Sequence, residues 1–494
     1  MTNTIAEEVK IEPIVIEAGM RIETLRKEEL EHLHNATLAI LTETGVRFPS
    51  QKVLNIFADA GANVDFDSQI VKIPPDILMA ALNKAPRTIR MGSRGSEAFD
   101  LVLDGTRTYC GTGGTGIVTV DVDTGRERPS TKKDTAMMAV VADYLPSVGF
   151  YWPMVAPLDK PAELLPLHEM EASFLNTQKH VITASCVSEN AAHFAVRMAE
   201  AVAGNRDLMK ARPPLSLIVS PISPLSNDAG ALEAALVFAE AGLPVGFATM
   251  PIMGSTGPAS IAGTLVLGNA EILSAICLVQ LAFPGAPVTY PLFSGVMNPF
   301  TGNCVVTTHN QFLFYAGTTQ LGHFYNLPVM SSFGGSDLQD PGTWQVGKDD
   351  AMDAFYICAT GPDMLPCAGM METYTRLHPE KLLLDNEIIQ SVQSMARGFS
   401  VNSEALAVDE IGKVGPGGHF LDTKYTLQNM RSLWSPGIDH QWDPQKIDFK
   451  DPLEAAKEKI QWILKNHRPV PLDDKMQKEM KKIITTAEKE LVQA

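Results

Sequence analysis

From Ser147 to about Asn402 the chain alternates between two hydrophobic patterns. Nearly continuous apolar, β-rich runs occur at 148–155, 181–187, 215–220, 245–250, 288–293, 329–333, 364–368 and 399–401. Between them, over 163–177, 189–203, 228–241, 260–282, 308–325, 344–360 and 380–397, apolar residues recur at helical spacing. A strand that is apolar on both faces belongs in a parallel sheet covered by helices. Eight such repeats over roughly 250 residues match a (β/α)8 barrel. The expected fold class is therefore α/β, a TIM barrel at 147–402. A doubly wound sheet stays open, because strand order is not legible in one sequence.

The flanks follow other patterns. Residues 1–146 read as an α+β cap, with helices near 27–44, 51–60 and 73–84 and short strands at 101–103, 106–109 and 117–122. The string Gly111-Thr112-Gly113-Gly114-Thr115-Gly116 follows a strand but leads into another strand. It lacks the helix a dinucleotide fingerprint needs and reads as a close-packed glycine loop in the cap. Residues 403–494 form an extension with helices, one amphipathic near 453–464 and a highly charged last one near 473–492. The apolar segment 262–283 has the length of a membrane span. Asn269 and Glu271 inside it, and Pro284-Gly285 at its end, favour a buried helix.

Composition narrows the function classes. The chain has 494 residues, 45% apolar and 20% charged, with a formal net charge of −17. That charge argues against a nucleic-acid or anionic-membrane partner. Six cysteines lie singly, with no CxxC pair, so neither a disulfide framework nor a metal ribbon is indicated, and no bound metal is expected. The first residues show no basic or apolar leader, which makes the cytoplasm the default compartment.

In a barrel the active site lies at the C-terminal ends of the strands. This picks out Trp152, Ser185, Ser220, Met250 to Gly257, Phe293 to Asn298, Phe333 to Asp337 and Gly369 to Glu372. These stretches are poor in acid–base pairs and metal ligands and rich in aromatics, methionine and glycine. That suits a cationic or apolar substrate beside a large planar partner. Core packing is the alternative for Trp152 and Phe293, and a solvated surface role for Lys348 and His309. Glu372 is the carboxylate placed for function. The loop through Gly254, Ser255 and Gly257 either offers backbone N–H groups to an anion or makes room with its glycines.

Several pieces, in this order, carry a resemblance: Gly257-Pro-Ala-Ser-Ile-Ala-Gly-Thr264-Leu265 running on to Asn269-Ala-Glu271, Pro284-Gly285-Ala286, Ser336-Asp337, Gln345-x-Gly347, Ala368-Gly369-Met370-Met371-Glu372 and Lys413-Val-Gly415-x-Gly417. With them the chain resembles the trimethylamine methyltransferase family, barrel enzymes that pass a methyl group from an N-methylated amine to the cobalt of a partner corrinoid protein. The resemblance puts pyrrolysine, in members acting on trimethylamine, where this chain has Gly335. It puts a glutamate where this chain has Asn310, and Gly-His-Glu where it has Gly347-Lys348-Asp349.

Without pyrrolysine the chain resembles the branch acting on quaternary amines, with glycine betaine favoured and proline betaine, carnitine and γ-butyrobetaine as alternatives. A quaternary ammonium leaves as a neutral tertiary amine, dimethylglycine from glycine betaine, and needs no proton. The resemblance then implies a corrinoid (cobalamin) on a cognate protein as methyl acceptor. Trp152, Phe293 and Phe333 would surround the ammonium. Lys348 or His309, or less directly Arg376, would meet the carboxylate. Gly254, Ser255, Gly257, Gly334 and Gly335 would make room for the corrin edge. Asn310 and Glu372 are possible catalytic positions, with no protein nucleophile. Homo-oligomers fit this reading, and a non-catalytic betaine- or corrinoid-binding protein is the competing class.

Overall fold

The structure is a computed structural model that describes residues 15–17, 21–333, 335–433 and 437–492. Eight parallel strands close on themselves. They are β1 (Arg107–Thr112), β2 (Phe150–Tyr151), β3 (His180–Thr183), β4 (Leu215–Val219), β5 (Val245–Phe247), β6 (Val288–Pro291), β7 (Val329–Met330) and β8 (Met364–Ala368). Each pairs in parallel with the next, and β8 pairs with β1 through Met364↔Tyr109 and Leu365↔Cys110. Helices follow each strand: α1 (Lys132–Tyr144), α2 (Leu165–Asn176), α3 (Glu189–Ala203), α4 (Ala229–Ala241), α5 (Ile261–Ala282), α6 (His309–Phe324), α7 (Trp344–Thr360) and α8 (Pro379–Arg397).

The barrel is the expected one, but its frame is displaced by one strand. It starts at Arg107, inside the region read as a cap, not at Ser147. The glycine string is the end of β1 and its exit loop. The run at 399–401 is no strand: Phe399 and Val401 are 90% and 71% exposed. The physical reason is composition. Arg107-Thr-Tyr-Cys-Gly-Thr112 has too few large apolar side chains to read as a two-sided strand, although all but Arg107 are buried. Phe399-Ser-Val401 follows the positive-φ Gly398 that ends α8 and pairs with no strand among the described residues.

Two small sheets ride on the C-terminal rim and put antiparallel pairs into a span expected to be wholly parallel. One joins Ile252–Met253, Gly295–Met297 and Cys304–Val305. The other joins Met370–Met371, Arg376–Leu377, Val118–Val120 and Glu127–Pro129. At the opposite end the hairpin of Ile89–Met91 and Leu101–Leu103 plugs the barrel. Its Ile89, Met91, Leu101 and Leu103 pack with Tyr109, Phe150, Ile182, Ile218, Met330 and Met364 from the strands.

Helix α5 shows why its membrane-like composition suits a core. Most of its most apolar window, 78%, is buried. Asn269 and Glu271 are satisfied there, as buried polar groups must be. Asn269 donates to Thr37 Oγ1 (2.9 Å) and accepts from the Tyr290 hydroxyl (2.8 Å). Glu271 accepts from Ser223 Oγ (2.8 Å), the Leu225 N–H (2.8 Å) and the Thr249 hydroxyl. Despite these donors, burial raises its pKa. The last helix, Asp474–Leu491, buries Met480, Ile483, Ile484 and Ala487 against α3.

Candidate functional site

Alternation along the strands decides which side chains reach the open, C-terminal mouth. Trp152, two residues past Phe150, and Ala248 belong to the apolar cluster inside the barrel, and Ala184 and Phe293 pack against it. Trp152 is held by its backbone: its N–H donates to Thr112 Oγ1 (3.0 Å), and the Thr112 hydroxyl donates to its carbonyl (2.8 Å). The Phe293 N–H donates to the Thr249 carbonyl (3.0 Å). Trp152 is 7% exposed, yet its indole N–H is buried without a hydrogen-bond partner. Ala184 and Phe293 are half-buried and Ser220 is exposed, so the surface beside Trp152 opens to solvent. An unpaired buried donor at an open mouth of small and aromatic residues marks a place where a ligand completes the packing.

The structure brings Trp152 and Phe293 together and leaves Phe333 out. Phe333 is fully buried in the outer core, between the barrel wall and the helices. Met330 already points inward, so alternation turns Phe333 outward. Lys348 sits on α7 with its side chain 48% exposed and paired with Asp349. His309 and Asn310 open α6 and are exposed. Arg376 is buried but committed to Glu372 (2.8 Å) and to Glu127. Glu372 also accepts from Gln339 Nε2 (2.7 Å). The Gln339 hydrogen bond, and then Arg376, hold its carboxyl below the ordinary range. It is a carboxylate fixed in a rim network rather than a proton donor.

The glycine expectations need correction. In the loop after β5 the N–H groups of Gly254, Ser255 and Gly257 bond to Gly257 O (3.0 Å), Ile252 O (3.0 Å) and Ile252 O (2.9 Å). They are spent in the turn and are not offered to an anion. Gly254 and Ser255 are exposed at its tip and Gly257 is buried. Gly334 lies outside the described residues. Gly335 does make room, but for Tyr374 rather than for a corrin edge. A Cβ there would lie 1.9 Å from Tyr374 Cε1, and φ is +83°. The Tyr374 hydroxyl pairs with Ser332 Oγ (3.1 Å). Tyr374 ends a turn of three consecutive non-glycine residues in the left-handed region, with φ of 49°, 52° and 68° for Glu372, Thr373 and Tyr374. Such strain persists only where surrounding contacts enforce it. Here Asp337 does much of this: it accepts from the Val306 N–H (2.9 Å), Thr307 Oγ1 (2.7 Å) and Thr373 Oγ1 (3.1 Å), tying together the loops after β6, β7 and β8.

Sequence reasoning missed Tyr374, whose contact with Gly335 is non-local, and Glu169 on α2. Glu169 is fully buried, accepts from the Ser185 hydroxyl and leaves Oε1 without a partner. Burial pushes its pKa up to about 8, against the lowering effect of Ser185. Only a carboxylate on an otherwise buried helix face could have flagged it. Among the described residues no group of three or more His, Cys, Asp or Glu is placed to hold a metal ion.

Comparison with known proteins gives this site its context. The family model for trimethylamine methyltransferase (MTTB) matches residues 2–492. A trimethylamine methyltransferase, MttB, of Desulfitobacterium hafniense is 32% identical over 479 residues, covering 96% of this chain and 95% of that one. A glycine betaine methyltransferase from another strain of that species is 29% identical over 475 residues, covering 94% and 97%. Among solved structures, the monomethylamine methyltransferase MtmB of Methanosarcina barkeri aligns over 90% of this chain and 93% of its own, at 14% identity and a TM-score of 0.49. With a family match that spans nearly its whole length, the chain belongs to the trimethylamine methyltransferase family and is a methyltransferase.

Proposed function

We propose that this methyltransferase takes its methyl group from a quaternary amine, glycine betaine first, and delivers it to the Co(I) of a corrinoid carried on a separate protein, leaving dimethylglycine. The observation that carries this reading is the Gly335–Tyr374 pair. The resemblance puts pyrrolysine at this place in members acting on trimethylamine. Here the residue has no side chain, and Tyr374 fills the space beside it. A permanently charged ammonium needs no covalent activation. What the chain supplies is position and dehydration, with the cation against Trp152 and Phe293. The similarity to a glycine betaine methyltransferase supports the same substrate class.

A Co(I) corrinoid supplies the nucleophile when its carrier docks, so no protein nucleophile is needed. The rim of the mouth fits such a visitor. The connections after five of the strands present Ile117, Leu158, Val187, Ile222 and Phe300, and the start of α7 presents Trp344, each between 44% and 96% exposed. Apolar side chains raised around a mouth are the mark of a contact face.

A thermal-shift panel tests the substrate class. Glycine betaine at about 100 times its Kd is expected to stabilise the protein by about 2.7 kcal/mol. Choline, which lacks the carboxylate, and trimethylamine are expected to shift it far less. Equal shifts from choline would remove any carboxylate reader from the site. A larger shift from trimethylamine would overturn the quaternary-amine reading.

A further inference from the structure

Outside the barrel, between α7 and α8, lies a cavity of about 310 Å3, at the small end of the range that holds organic ligands. Val346, Phe355, Leu384, Ile388, Val392 and Met395 give it apolar walls. On α8 these residues follow one another at helical spacing, so they form one stripe along the groove. Gly347 keeps the α7 side open: a Cβ there would meet no atom within 4 Å.

The charges at this cavity are nearly all of one sign. Asp350, Glu387 and Asp439 line it, and Lys381 is the one basic residue among the described residues that does so. Lys381 is already shared, since its ammonium lies between Asp350 Oδ2 (2.8 Å) and Asp385. The second oxygen of Asp350 is left over. Asp350 is 2% exposed, and its Oδ1 is buried without a hydrogen-bond partner. A buried carboxylate oxygen in that state is costly, and a donor placed beside it removes the cost. Glu387 is also short of countercharge: burial, and then the nearby Asp439, raise its pKa.

We infer that this cavity is a binding site for a protonated primary amine on an aliphatic chain, with a linear diamine as its best fit. The aliphatic body covers the apolar walls. One ammonium donates to Asp350 Oδ1 and supplies the charge that Lys381 alone does not. A quaternary ammonium carries no N–H and cannot do this, so the site excludes it. The far ammonium of a diamine meets Glu387 and Asp439. Lys381 and Glu387 lie six residues apart on α8, which is about 9 Å of helix, a distance that a short diaminoalkane spans. The cavity lies in the helix layer and not at the mouth of the barrel, and the inference does not depend on the substrate reading.

Isothermal titration of the full chain near neutral pH tests it, with hexamethylenediamine, hexylamine and tetramethylammonium as probes. The diamine is expected to bind once per chain, about fivefold more tightly than hexylamine, which is the worth of an exposed ion pair. Tetramethylammonium should give no saturable heat. Asp350→Asn should weaken the diamine by about tenfold or more. That variant also disturbs the pairing of Lys381, so a second one is needed. Ala351→Phe fills the cavity from an exposed position on α7 and leaves every carboxylate in place. It should abolish binding with an unchanged far-UV spectrum. Glu387→Gln should bring the diamine down to the affinity of hexylamine, and saturating glycine betaine should not displace it. Absence of binding, a diamine no tighter than hexylamine or equal binding of tetramethylammonium would each overturn the inference. So would displacement by glycine betaine, or undiminished binding to Ala351→Phe.

Discussion

Trp152→Ala is expected to lower methyl transfer from glycine betaine at least about tenfold, chiefly through a higher KM. The indole is the largest side chain at the mouth of the barrel interior, and its face and the Phe293 ring belong to one apolar surface. A desolvated cation–π contact is worth about 2 kcal/mol, which is more than tenfold in affinity. Truncating a buried tryptophan also costs about 3–5 kcal/mol of stability, so the loss must be separated from unfolding. Trp152→Phe keeps an aromatic face with a smaller cavity and should retain most of the activity. A variant that folds, melts within a few degrees of the parent and transfers methyl groups at the parental rate would return Trp152 to a packing role.

Lys381→Met is expected to cost about 3–5 kcal/mol of stability, with little effect on substrate affinity in the protein that remains folded. Lys381 Nζ sits between Asp350 Oδ2 (2.8 Å) and Asp385, and all three side chains are at most 3% exposed. Asp385 in turn accepts from the Gly369 N–H (2.7 Å), which fixes the chain as it leaves β8. Removing the ammonium leaves two buried carboxylates facing each other. Burial raises the pKa of Asp350, and Lys381 is the group that opposes the rise.

The sign of the pH dependence follows. Without Lys381 the Asp350 pKa in the folded state climbs further above its unfolded value. The folded state then holds a proton that the unfolded state releases, and stability falls as pH rises through that window. Chemical denaturation at pH 5 and pH 8 should therefore show the larger loss at pH 8. Replacing Asp350 and Asp385 by Asn in the same variant should recover much of it, since a buried charge group is most costly when half of it is removed. A pH-independent loss would show that packing, not charge, is at stake.

How much of this was legible in the sequence depended on whether the information was local. The repeat of two-faced apolar strands and amphipathic helices is a property of neighbouring residues, and it led to a closed barrel. Strand β1 reads at 106–109 as a short strand of the cap and not of the barrel, because Thr108, Gly111 and Thr112 are buried without being large and apolar. Trp152 and Phe293 followed from the rule that sites lie at strand ends. Phe333 obeyed the same rule but faces outward, which two-residue alternation from Met330 could have shown. Lys348 and His309 were chosen by charge type alone, and helix-start positions on α6 and α7 leave them in solvent. The Gly335–Tyr374 contact joins residues thirty-nine apart through a strained turn, and no pattern of spacing encodes it.

The most direct test supplies the full chain with glycine betaine and chemically reduced cob(I)alamin, or a reduced corrinoid protein, and follows methylcobalamin formation by its absorbance alongside dimethylglycine by mass spectrometry. The account predicts equal amounts of the two products, dependent on enzyme, and little transfer when trimethylamine replaces glycine betaine. Brisk transfer from trimethylamine with none from glycine betaine or any other betaine would contradict it.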